Sequence, residues 1–131
     1  MFFYVEPGEE NAVAKAFRKC GERMNIEGVP QAGIVVPQIS NLEGFISEVL
    51  GDTAVKALAK NKVLRLNPES IHLFTKRQPP RAFKGPLLVA FTPVEQLKAV
   101  IRDNPKADIV FVPWAPDERD FFVKSYSAEL I

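Results

Sequence analysis

Cysteine and histidine are almost missing from this chain: its 131 residues include one of each, Cys20 and His72. A lone cysteine cannot close an intramolecular disulfide, which excludes the stapled framework of small secreted domains. One cysteine and one histidine also fall short of the ligands a zinc site requires. Glycine is scarce, with seven residues, and none of the loops is glycine-rich. There is no G-x-G-x-x-G and no Walker lysine, so the common nucleotide cradles are excluded and no cofactor is implied. Charge of one sign is not in excess: 17 Lys plus Arg stand against 16 Asp plus Glu, a net charge of +1. A molecule without a long-range field is not built to find nucleic acid electrostatically. No apolar run approaches the roughly 20 residues needed to cross a bilayer, so no membrane partner is expected. The start, Met1-Phe2-Phe3-Tyr4-Val5-Glu6, lacks a basic flank and turns acidic too soon for a signal peptide. The expected location is therefore the cytoplasm.

What is present is the material of an ordinary core. Hydrophobic residues make up 47% and charged residues 25%, which fits one globular domain over residues 1–131. Two segments are the most informative, Gly85 to Glu95 and Ala107 to Glu118. Each is an uninterrupted apolar run that ends in a proline-marked helix start, and one short amphipathic helix lies between them. Leu87 to Phe91 and Ile109 to Val112 are read as strands. Thr92-Pro93-Val94-Glu95 supplies an N-cap threonine, a first-turn proline and a capping-box glutamate. Pro116-Asp117 opens a terminal helix.

Upstream, Phe2 to Val5 and Gly33 to Pro37 read as further buried strands. A helix from about Glu9 to Met24 carries Val13, Ala16, Phe17, Cys20 and Met24 on one face. Cys20 then points inward, where a thiol acts as a small hydrophobe. Ser40, with Glu43 three residues on, predicts a helix burying Leu42, Phe45, Ile46, Val49 and Leu50. Gly51 stops it, and Asp52 caps a third helix from Thr53 to about Lys60. Val63 to Leu66 and Ser70 to Thr75 are short β-leaning pieces around the turn Asn67-Pro68. Continuous apolar strands alternating with amphipathic helices imply a mainly parallel sheet covered on both sides. The expected fold is a three-layer α/β/α sandwich with about four to five strands, to which the middle segment can add one antiparallel edge strand.

In such sheets ligands bind beyond the carboxyl ends of the strands. Those ends supply Glu6, Thr92, Trp114 and Asp117 as candidate ligand-binding residues. Thr92 and Ser40 also have an ordinary use as helix caps. The chain between Lys76 and Lys84 is broken by Pro79-Pro80 and carries Lys76, Arg77, Arg81 and Lys84, candidate contacts to an anion or nucleic acid. His72 lies in the alternating stretch Ile71 to Phe74 and reads as strand filler, with no orienting carboxylate or nucleophile in sequence to make it a base.

Glu6 with Asp117, Glu118 and Asp120 is the best acidic constellation, since carboxylates at one sheet edge can hold Mg²⁺. The arrangement resembles a Toprim domain, where a strand-end glutamate and a later Asp-x-Asp share a metal. That resemblance implies a metal-dependent hydrolase or nuclease using Glu6, Asp117 and Asp120. The chain departs from the pattern in three respects. Pro7 replaces the glycine after the glutamate, the acidic pair is spaced Asp117-x-x-Asp120, and the further elements of the family are missing. Acidic residues in a first helical turn are independently favoured by the helix dipole. The leading expectation is a binding or interaction domain that contacts a protein or small ligand at the carboxyl edge of its sheet. The metal-dependent enzyme is the alternative, nucleic-acid binding a third reading, and no catalytic residue or metal ligand is assigned.

Overall fold

The computed structural model describes residues Met1–Ile131. In chain order the elements are β1 (Phe2–Tyr4), α1 (Ala12–Glu27), β2 (Gln31–Val35), a 3₁₀ turn (Ile39–Leu42), α2 (Phe45–Leu50), α3 (Asp52–Asn61) and β3 (Val63–Arg65). They continue with β4 (Ser70–Phe74), β5 (Leu87–Ala90), α4 (Val94–Asp103), β6 (Ile109–Val112), α5 (Pro116–Tyr126) and β7 (Glu129–Leu130). One sheet runs β3-β4-β2-β5-β6-β1-β7, and every pair is parallel except the antiparallel β3–β4.

The period of two in the strands divides the core. Ile34, Leu88, Ala90, Val110 and Val112 point to one face, where they meet Val13, Ala16 and Cys20 of α1, Ile46 of α2 and Leu58 of α3. Val35, Leu87, Val89, Ile109 and Phe111 point to the other, against Leu97 and Val100 of α4 and Phe122 of α5. Every residue of β5 and β6 is buried. The apolar runs have no polar alternation because both faces are covered. The expected α/β/α sandwich is therefore present.

The sheet has seven strands, more than the four to five expected. β3 is the antiparallel edge strand that the middle segment was expected to add, and β7 at the other edge was not foreseen. β7 carries no sequence signal, being two residues that fall beside β1 once Ser127, at φ 53°, turns the chain out of α5. The second layer is also uneven. Beyond α4, the cover over His72 and Phe74 of β4 is the connection between β4 and β5, whose Phe83 packs edge-on against them at 5.7 and 5.4 Å.

Local boundaries moved where backbone conformation intervened. α1 begins at Ala12 rather than Glu9, because Asn11 takes a left-handed conformation at φ 61° just before it. The helix expected from Ser40 is split. Asn41 Oδ1 accepts from the Gln38 amide at 2.9 Å, so Gln38 and Asn41 hold the first turn. Gly44, at φ 86°, then interrupts it and sets α2 in a new phase. Leu42 and Ile46 remain buried, whereas Phe45 and Val49 turn out to solvent.

At the amino edge of the sheet, Asp108 is buried just before β6. It accepts from Arg23 Nε of α1 at 2.8 Å and from the Met1 amine at 2.9 Å. Burial by itself raises the Asp108 carboxyl, but hydrogen bonding shared with Glu27, the Met1 amine and Arg23 outweighs it and holds the group at about 2. Its unfolded value is about 3.9. A carboxyl depressed on folding gives stability that is full above pH 4 and lost as the pH falls toward 2. The amount is ~2 kcal/mol. Glu27, raised chiefly by its hydrogen bonding with Asp108, returns part of that loss as it takes up its proton. Thermal melts from pH 5 to pH 2 should show the drop, and Asp108→Asn should flatten it. An unchanged pH profile in the variant would contradict the assignment.

Candidate functional site

The chain leaves the sheet toward opposite faces from two pairs of neighbouring strands. β1 feeds α1 on one face while β6 feeds α5 on the other, and β2 and β5 diverge likewise. Such divergence opens a crevice beyond the carboxyl ends of the strands. A cleft of about 930 Å³ lies there, walled by the start of α1, by α2 and by the ends of β5 and β6.

Three aromatic rings form its apolar wall. Phe91 lies between the other two, 5.7 Å from Phe45 and 5.3 Å from Trp114 by ring centroids, and edge-on to the indole. Trp114 is 65% exposed, Phe45 55% and Val49 40%. These are large apolar side chains left in water together, in a molecule that buries Phe111 and Phe122 completely. Phe91 also has a backbone φ of 58°. A bulky residue in the left-handed region is strained, and such strain concentrates at ligand sites. Its amide donates to Val112 O at 2.9 Å, which ties the turn after β5 to the end of β6. Glu118 steadies the neighbouring loop, its Oε1 accepting from the amides of Trp114 at 2.8 Å and Ala115 at 3.2 Å.

The candidate residues read from sequence are dispersed around this feature. Trp114 lines the cleft; Glu6, Thr92 and Asp117 do not. Glu6 accepts from Arg119 Nη1 at 2.5 Å, and the same guanidinium donates to Asp120 at 2.9 Å. Arg119 thus occupies the position between the two carboxylates where a cation would sit. Asp117 is exposed in the first turn of α5, where the dipole favours an acid. No group of three His, Cys, Asp or Glu side chains is arranged to hold a metal ion. Thr92 is fully buried with its Oγ1 unpartnered, and Pro93 rather than Thr92 is the N-cap of α4.

Lys76, Arg77, Arg81 and Lys84 are all exposed, but they do not form one patch. The Lys76 amide bonds Pro37 O beyond the carboxyl end of β2, whereas Lys84 O accepts from Gln31 at its amino end. Arg81 faces Asp103 at 3.8 Å, at the end of α4. The connection runs from the carboxyl edge of the sheet to its amino edge and distributes its charges along the way. Cys20 is buried, as its place on the inner stripe requires, and burial pushes its thiol up to about 12. His72 accepts or donates to Ser70 Oγ at 3.1 Å, and burial lowers its pKa.

Sequence reasoning missed Phe45, Val49 and Phe91. Phe45 and Val49 fit the inner stripe of a continuous helix, and the only warning was Gly44. No helix of the structure is long and apolar enough to cross a membrane. No protein-family model matches the chain, and no curated protein matches it either.

Proposed function

We propose that the chain is a cytosolic binding domain that holds its ligand in the cleft at the carboxyl edge of the sheet, against Phe45, Phe91 and Trp114. The carrying observation is the row of three touching rings, two of them largely exposed, on the wall of that cleft. Its volume falls within the ~300–1,000 Å³ of ordinary small-molecule sites. Exposed aromatics at such a place are costly in water and gain by being covered. Of the carboxylates that would serve a metal-dependent hydrolase, Glu6 and Asp120 are bridged by Arg119 instead, so the binding reading is preferred.

Trp114 is the only tryptophan, so its emission reports on this site alone. A small-molecule fragment screen followed by indole fluorescence should yield ligands that shift the emission to the blue. Trp114→Ala should weaken the same ligands about tenfold, the worth of one aromatic contact, while the melting temperature stays within about 2 °C for so exposed a residue. Fragments that bind without moving the Trp114 signal, and equally well to the variant, would place the function elsewhere.

A further inference from the structure

Given that the cleft is the binding site, we propose that its ligand is a small organic cation: an ammonium or related positive group attached to an apolar or aromatic body. The polar part of the lining carries the argument. Three carboxylates, Glu9, Glu10 and Glu48, line the cleft, and no lysine, arginine or histidine does. Glu9 is engaged by Lys15, whose ammonium lowers its pKa. Glu10 and Glu48 have no ion-pair partner, and both are exposed. The site therefore keeps two unmatched negative charges beside its aromatic wall.

The three classes of ligand charge fare differently here. An anion is repelled by Glu10 and Glu48. The start of α1 offers it little in return, since Glu9 and Glu10 stand just ahead of that helix and already supply the negative charge its dipole favours. A neutral apolar body covers the rings but strips water from two carboxylates without replacing it. A cation with an apolar body answers both features: its charge faces Glu10 and Glu48 and the π-faces of Trp114 and Phe45, and its body covers the rings. The volume of about 930 Å³ accommodates a small molecule whole, which favours a free ligand over a segment of protein.

Three probes of matched shape separate these cases: phenethylammonium, 2-phenylethanol and phenylacetate, each titrated against Trp114 emission and by NMR. The ammonium should bind, the alcohol about tenfold more weakly and the acid not measurably, since two exposed ion contacts of ordinary strength amount to about a factor of ten. Glu10→Gln with Glu48→Gln should lower the ammonium's affinity to that of the alcohol and leave the alcohol unchanged. Equal binding of ammonium and alcohol to the native protein would overturn the charge inference while the cleft stands as the site. Failure of all three probes to reach Trp114 would count against the cleft itself. A short lysine- and phenylalanine-containing peptide that binds over a hundredfold tighter than phenethylammonium, and depends on Glu10 and Glu48, would overturn the small-ligand assignment in favour of a basic protein segment.

Discussion

A protein carrying Val110→Asp is expected not to fold. Val110 is fully buried in β6, between Phe3 of β1 and Leu88 of β5, and its side chain joins the core beneath α1. An aspartate there is an unpaired charge in an apolar layer with no acceptor-satisfying neighbour. It must either stay ionised in low dielectric or bind a proton far from its usual pKa. The cost is about 5 kcal/mol or more, comparable with the whole stability of a small domain. Circular dichroism should show no cooperative melt, and the protein should collect in the insoluble fraction. A soluble variant with a native melt would sink the assignment of β6 as a strand covered on both faces.

Gly85→Ala should produce the next largest loss. Gly85 has φ 143°, and a Cβ placed on it would lie 2.3 Å from the backbone oxygen of Gln31. No side-chain rotation relieves a contact with main chain, so the starts of β2 and β5 would have to separate. Backbone strain and overpacking together suggest about 4 kcal/mol. Urea unfolding would show this as a lower midpoint at constant slope. Gly21→Ala is the control, because a Cβ there meets nothing within 4 Å and the residue lies inside α1, where alanine is the better helix former. If the two variants had the same midpoint, the close approach at Gly85 would be wrong.

The elements with one-sided requirements were legible. β5 and β6 are written as unbroken apolar runs because both their faces are buried, and their shortness between glycine and proline punctuation points to strands rather than buried helix. Pro116 marks the first residue of α5, as expected from its fixed φ. Cys20 follows from the stripe of α1. What could not be read depends on backbone angles that residue type does not dictate. Gly44 is compatible with continuing a helix, and its φ of 86° changes which side chains of α2 face the core. Phe91 adopts a conformation that residues of its size rarely take. Of the site itself, Trp114 was legible as an aromatic at a strand end. Its ring neighbour Phe91 follows β5 and Phe45 beyond it belongs to α2, and only the pairing of β5 with β6 brings these distant segments together.

β6 separates two tasks along its own length. Asp108, before its first residue, binds α1 and the amino terminus into the fold. Trp114, beyond its last, stands on a loop held by a single glutamate side chain. Five buried residues, Ile109 to Pro113, lie between the two. Natural variation can therefore rework one end without weakening the other. Exchanges at Phe45, Val49 and Trp114 would reshape the proposed binding cleft at little expense to folding, whereas the amino edge offers no such latitude. The architecture has a fixed foot and a replaceable head, and a lineage built on it could rework the head many times while keeping its frame.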